Sequence, residues 1–182
     1  MIHIWETPNL IDSNIVKTLN SFHNSFLDIA MVFISNTGEY AIVWLIIGLF
    51  LLMFDKKNGK FMFLTLIIAL IIEVAINDGI LKNIFYRERP YLLFAELHHL
   101  GPDTMNSSFV SGHTASSIAI FLVLIKFYKK MFYPLAFLVL LMIWTRFYLG
   151  MHYPSDILGG VAVGTLSAWL AFSISKKFAK IK

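Results

Sequence analysis

The chain has 182 residues, of which 58% are hydrophobic and 14% charged, against roughly 45–50% and about 25% in ordinary globular proteins. A mean hydropathy of +0.72 leaves too little polar surface to cover a water-soluble domain, so the composition points to an integral membrane protein and excludes disorder, a coiled coil and a disulfide-stapled module. The net charge of +4 reads first as a topology signal rather than a nucleic-acid footprint, and the absence of cysteine removes thiolate chemistry and Cys-ligated zinc.

The N-terminal run MIHIWETPNL meets Glu6 and Asp12 before its first lysine, Lys17, and has no basic region, so it does not read as a cleaved signal peptide. Ile11, Ile15, Leu19 and Phe22 follow at intervals of four, four and three, one stripe of a helix over 10–22 with Asp12, Ser13 and Lys17 off it. That pattern suits a helix lying on the membrane surface, and a short helix packed against the bundle fits it equally. Apolar stretches then fall at 28–39, 40–54, 61–81, 114–125, 131–145 and 157–175, the first of them the weakest and several shorter than a spanning helix needs without flanking polar residues. No repeat, linker or second domain is visible. The predicted architecture is all-α: a single domain over 1–182, a six-transmembrane-helix bundle preceded by a short N-terminal interfacial segment, 1–22.

Orientation follows from the bases. Ten lysines (56, 57, 60, 126, 129, 130, 176, 177, 180 and 182) fall in segments that six crossings would place on one side, which the positive-inside rule makes cytoplasmic together with both termini. Lys82, Arg87, Arg89 and Arg146 break the rule by falling on the opposite side, so something other than topology should account for them.

Three clusters there carry candidate chemistry. Lys82 and Arg89 stand seven apart, two turns along one face if the third helix runs as far as Glu88, after which Pro90 ends it; they could aim two cations at a phosphoryl group or simply snorkel, with Asp78 partnering Lys82 at i+4. Ser111-Gly112-His113 opens the fourth helix, with serine suited to the N-cap and glycine to close approach of an anion. Thr145-Arg146 is followed by His152 and Asp156, with Pro154 suited to the first turn of the sixth helix. A carboxylate on one imidazole nitrogen would leave the other free as nucleophile or base.

Taken together, these residues resemble the type 2 phosphatidic acid phosphatase (PAP2) superfamily, whose signatures KxxxxxxRP, PSGH and SRxxxxxHxxxD are matched by Lys82 to Arg89-Pro90, by Val110-Ser111-Gly112-His113, and by Thr145-Arg146 to His152 and Asp156. The departures are Val110 for proline and Thr145 for serine; the second keeps the hydroxyl. The resemblance implies that His152 attacks phosphorus to form a phosphohistidine, with Asp156 orienting it and His113 protonating the leaving oxygen. It further implies that Lys82, Arg89, Ser111, the Gly112 amide and Arg146 hold the phosphoryl oxygens, with no metal or cofactor. Positioning and positive charge are what phosphoryl transfer requires. Gly160, Gly164 and Ala168, with Ala115 and Ala119, form small faces that predict close packing of the fourth and sixth helices, bringing His113 near His152.

Elsewhere, Glu73 and Asn77, four apart, suit pairing with other helices or an ion path. His98-His99 suit a metal pair or, with Glu96 and Asp103, a polar lid. The compact layout and the run 23–28 are similar to bacterial undecaprenyl-diphosphate phosphatases of the superfamily, which implies a lipid phosphate substrate, membrane lipids as partners, no nucleic acid, and a site at the extracytoplasmic face of the plasma membrane. The alternatives are a phosphatase of phosphatidylglycerophosphate or phosphatidic acid, and a non-catalytic membrane protein that binds or transports anions.

Overall fold

The computed structural model describes residues 2–3 and 8–179, so Lys180 and Lys182 lie outside the described residues. Asn9 caps the first helix, α1 (Leu10–Asn20), its Oδ1 accepting from the Ile11 amide at 2.8 Å. Leu10, Ile11 and Ile15 point outward while Asp12, Ser13, Val16 and Asn20 are buried. The apolar stripe thus faces away from the protein, as an interfacial helix needs, and the polar face does the docking.

The next apolar stretch is continuous from Ser25 to Phe54. It comprises α2 (Ser25–Gly38), a 3-10 turn at Glu39–Ala41, and α3 (Ile42–Phe54), with Tyr40 and Ala41 at φ 50° and 57°. Then α4 (Gly59–Ile76) passes through a π-helical stretch (Asn77–Leu81) into α5 (Lys82–Ile84). The chain turns extended in β2 (Phe85–Tyr86), which pairs in parallel with β1 (Ile2–His3). A short α6 (Pro90–Leu93) and a long loop lead to α7 (Gly112–Phe127), α8 (Phe132–Tyr148) and α9 (Pro154–Ala179).

Two expectations are corrected here. The first is the count of six crossings with both termini on one side. The first two predicted stretches share a single passage along the bundle. Asp28, in the first turn of α2, takes a 2.6 Å hydrogen bond from the Tyr148 hydroxyl at the end of α8, whereas Asp55, just after α3, takes one of 2.9 Å from Tyr128 at the far end of α7. Between them Trp44 Nε1 donates to Ser117 Oγ at 3.0 Å. The left-handed residues Tyr40 and Ala41 redirect the axis without reversing it, which a count of apolar residues between charges does not register. The described helices therefore make five passages, and α1 lies at the same end as Lys82 and Arg89, opposite the end of α9. Four runs, Ser25–Phe54, Gly59–Ile84, Lys129–Tyr148 and Pro154–Phe178, are long and apolar enough to cross a membrane, with Gly112–Phe127 a shorter fifth.

The second is the third helix, which stops at Ile84 instead of running to Glu88. Arg89 sits in extended backbone as the N-cap of α6, and Pro90 opens that helix rather than ending the previous one, since its fixed φ suits a first helical position.

The core gathers Trp44, Met62, Leu66, Ile120, Val123 and Leu135 between α3, α4, α7 and α8. Phe26, Phe33, Ile46, Phe50 and Ile71 are exposed, an apolar exterior that only lipid can solvate. The expected contact of small faces is present. A Cβ on Gly160 would lie 2.8 Å from the Ser111 carbonyl oxygen, and one on Gly164 would collide with the Ala115 carbonyl oxygen and stand 3.1 Å from the Ala119 amide nitrogen.

Candidate active site

At the α1 end of the bundle a cavity of about 1070 Å³ is lined by Lys82, Arg89, Gly112, His113, Arg146 and His152. Six of the eight predicted site residues thus face one space. The other two, Ser111 and Asp156, are completely buried just behind it.

Each side chain is delivered by local rules. Ser111 caps α7, its Oγ accepting from the Thr114 amide at 3.4 Å and the Thr114 hydroxyl at 3.1 Å. Its own amide donates to the Asp156 carbonyl at 3.2 Å, which ties the start of α7 to the first turn of α9. The π stretch that follows α4 comes close here: a Cβ on Gly112 would lie 2.9 Å from Asn77 Nδ2 and 3.9 Å from Lys82 Nζ, so a larger residue would have to displace the Asn77 side chain. Lys82 does donate to Asp78 at 2.7 Å, the i+4 partnership, yet its ammonium also borders the cavity.

Arg146 is buried, donating from Nε to the Thr145 hydroxyl at 3.0 Å and from Nη2 to Thr145 and Ser35 Oγ. The hydroxyl retained at Thr145 is therefore in use. Arg89, also buried, donates to the Met151 carbonyl at 3.1 Å and to Asn106 Oδ1 at 2.7 Å. Its Nη1 stands 3.3 Å from His152 Nε2, so a guanidinium occupies the approach to that nitrogen's lone pair. His152 Nδ1 lies 2.8 Å from the Ser108 carbonyl oxygen, to which it can only donate. The tautomer with a bare Nε2 follows. Burial pushes His152 down to about 4, Arg89 and Arg146 adding to the effect and Asp156 opposing it, so the ring is neutral at physiological pH. Burial likewise lowers Arg89 from its ordinary value.

Asp156 differs from its predicted placement in detail. It is 3.7 Å from His152 Nδ1, beyond hydrogen-bond reach, and its Oδ2 instead accepts the Tyr153 amide at 2.8 Å, closing the first turn of α9. Its influence on the imidazole is electrostatic, and the tautomer is set by Ser108. His113 donates from Nε2 to the Ser35 carbonyl at 3.2 Å, leaving Nδ1 for a reacting group.

Residues that sequence reasoning missed contribute main-chain carbonyls (Ser108, Met151) or come from distant segments (Asn106, and Ser35 with both its carbonyl and its hydroxyl), and neither kind leaves a local pattern. Glu73 and Asn77 pair with each other at 3.2 Å rather than with other helices. His98 and His99 do not act together. His99 stacks on Tyr91 with centroids 3.8 Å apart and bonds the Leu149 carbonyl, while His98 packs on His23.

The chain matches the sequence profile of the PAP2 superfamily over residues 58–180. It is 32% identical over 157 residues to the undecaprenyl-diphosphatase BcrC of Bacillus subtilis, covering 85% of this chain and 78% of that one. It is 27% identical over 179 residues to a lipid A 4'-phosphatase of Porphyromonas gingivalis, covering 90% and 72%. The crystal structure of LpxE from Aquifex aeolicus superposes with a TM-score of 0.80 at 24% identity, covering 93% of this chain and 99% of that one.

Proposed function

The chain belongs to the PAP2 superfamily and is a membrane lipid phosphatase, and on that premise we propose that it hydrolyses undecaprenyl diphosphate to undecaprenyl phosphate and inorganic phosphate through a phosphohistidine on His152. The observation that carries the mechanism is the bare Nε2 of His152, 3.3 Å from Arg89 in the cavity that Arg146, Lys82 and His113 share. A terminal phosphoryl group that draws Arg89 off Nε2 onto its own oxygens, with Arg146 and Lys82 on the others, would present phosphorus to that nitrogen.

In the first step the Nε2–P bond forms as the P–O bond to undecaprenyl phosphate, the leaving group, breaks, and in the second the Nε2–P bond breaks. His113 must enter the first step protonated on both ring nitrogens, and it then gives its Nδ1 proton to the leaving oxygen. Water then attacks the phosphohistidine, His113 accepts its proton, and phosphate departs. Ser111 and the Gly112 amide, at the start of α7, suit the equatorial oxygens that gain charge. Asp156, 3.7 Å away, stabilises the cationic ring that attack creates.

A diphosphate on a long prenyl tail is favoured by two features. The cavity wall continues from the polar residues onto Leu70, Ile71 and Val74, an apolar flank along α4 for the first isoprene units. The relative of highest identity reported above carries that activity in its name. The described lysines 56, 57, 60, 126, 129, 130, 176 and 177 lie toward the opposite end of the bundle, which supports a site at the extracytoplasmic face of the plasma membrane with the C-terminus cytoplasmic.

The test is phosphate release by the purified protein and His152→Ala from undecaprenyl diphosphate, a lipid A phosphate, phosphatidylglycerophosphate and phosphatidic acid. The diphosphate should be turned over fastest, with a loss of about 10³-fold or more in the variant. Equal rates on all four would refute the substrate, and an active His152→Ala would refute the nucleophile.

A further inference from the structure

Behind Asp156, on the side away from His152, is a buried ion network that the chemistry above does not use. Asp156 Oδ1 accepts from Arg87 Nη1 at 2.7 Å, and Arg87 Nη2 donates to Asp12 Oδ2 at 2.8 Å. Ser155 closes the cluster: its Oγ accepts from Arg87 at 2.7 Å and donates to Asp12, and its amide donates to Asp12 Oδ1 at 3.2 Å. The Arg87 guanidinium also lies 3.9 Å over the Tyr153 ring. The side chains of Arg87, Asp12 and Asp156 are 2%, 11% and 0% exposed, so the pairs are desolvated and depend on one another.

Arg87 reaches His152 by a second route. Its amide donates to Ser107 Oγ at 3.1 Å and its carbonyl accepts the Ser108 amide at 2.9 Å. Ser108 is the residue whose carbonyl sets the His152 tautomer. One residue therefore holds both groups that condition the nucleophile, the Ser108 carbonyl through its backbone and Asp156 through its side chain. Asp12, which balances its charge, comes from α1, outside the residues 58–180 that the family profile matches.

We propose that Arg87 is a positioning residue for His152 and that Asp12 is its counter-charge, so that the N-terminal helix completes the active site from outside the family's shared region. The proposal rests on His152 as the nucleophile. Attack on phosphorus makes the imidazole cationic, and Asp156 must stay anionic toward it. An Arg87 with no second partner would neutralise Asp156. Taken by themselves, Asp12, Arg87 and Asp156 sum to one negative charge, so that Asp156 is held in place without being cancelled by Arg87.

The sign of each charge gives a test that a purely structural role would not pass. His152 faces Asp156 from α9, Arg89 from the turn before α6, Arg146 from α8 and His113 from α7, and all four stay in place in the variants. Asp12→Asn removes a negative charge from the network, so protonation of His152 becomes harder and the acidic limb of kcat/KM moves to lower pH. Arg87→Gln removes a positive charge and moves that limb to higher pH. Both should lower kcat about ten- to a hundredfold with KM within about twofold, because placement and not substrate contact is lost. Arg87→Lys, which keeps the charge but cannot span Asp156 and Asp12 with one ammonium, should restore the wild-type limb while recovering only part of the rate.

The measurements are pH profiles of phosphate release between pH 3.5 and 9, alongside thermal unfolding in detergent, with His152→Ala as the control. Opposite shifts of the limb support the proposal. Shifts in one direction, no shift, or losses that only track the folded fraction overturn it. If Arg87→Gln does not fold, Asp12→Asn against Arg87→Lys decides by the same limb. An active His152→Ala refutes the nucleophile instead, which separates that failure from this one.

Discussion

Gly160→Ala adds one methyl group where α9 touches the start of α7. The new Cβ would lie 2.8 Å from the Ser111 carbonyl oxygen and 2.9 Å from Thr114 Cβ, whereas ordinary contacts begin at 3.4 Å. Neither neighbour is the free end of a flexible chain, so the helices must separate by about 0.6 Å at this level. The Ser111 amide, 3.2 Å from the Asp156 carbonyl, is then drawn beyond hydrogen-bond length. Overpacking costs roughly 1–3 kcal/mol and the weakened hydrogen bond about 1 kcal/mol more. A loss of about 2–4 kcal/mol in a chain of this size lowers Tm by roughly 5–15 °C. The same displacement moves Ser111 and Gly112 relative to His152, so kcat at temperatures where the variant is folded should fall about ten- to a hundredfold. The assay pairs thermal unfolding in detergent with phosphate release at saturating lipid. Gly79→Ala is the control, since its Cβ would meet only the Val74 carbonyl oxygen, at 3.9 Å. A Gly160→Ala protein with wild-type Tm and kcat would show that the α7–α9 contact has slack, and the reasoning from that contact would fail.

Arg146→Lys should lower kcat/KM about a hundredfold in the phosphate-release assay, because one ammonium cannot reproduce the bonds to Thr145 and Ser35 while also facing the cavity. Because burial lowers His152 to about 4, kcat/KM should be insensitive to this group above about pH 5 and fall only near pH 4, as a pH profile will show. For the same group the unfolded chain binds the proton at about pH 6.5 and the folded chain at about 4, so stability falls as pH drops between those values, by about 3 kcal/mol in all; His152→Asn should lose that portion of the dependence in thermal unfolding. Ser117→Ala leaves the Trp44 indole N–H buried without its 3.0 Å acceptor and should cost about 1–3 kcal/mol in unfolding measurements with kcat unchanged.

The parts of the site that were legible in the sequence are those where chemistry and local geometry coincide. Ser111 caps a helix because serine caps helices, and Pro154 with Asp156 builds a first turn because both residue types belong there. Gly160 and Gly164 report a close crossing because nothing larger fits. The amphipathic stripe of α1 was legible too, although its meaning was half hidden: the stripe faces outward, and the residues set aside as merely polar, Asp12 and Ser13, are those that bind the protein. Arg87 stood out as a charge on the wrong side of the membrane. Its partner did not, because an ion pair between residues 12 and 87 leaves no periodic trace. The Lys82–Arg89 spacing suggested one helix face, yet a π stretch and a short extended segment bring the two side chains to the cavity by another path.

The weak first apolar stretch is the clearest case of a signal misread as noise. Its polar residues lowered its score as a spanning helix, and it does not span alone. Ser35 takes Arg146 on its hydroxyl and His113 on its carbonyl, and Asn36 lines the cavity. The left-handed pair Tyr40 and Ala41 breaks the segment after α2 has brought Ser35 and Asn36 to the cavity, and α3 then runs on to Asp55. Without Ser35 the buried Arg146 guanidinium would keep only the Thr145 hydroxyl as a side-chain acceptor among the described residues. The polarity of α2 and the kink after it therefore belong to one requirement, which is to bring a hydrogen-bond acceptor to a buried cation at the point where the chain enters the bundle.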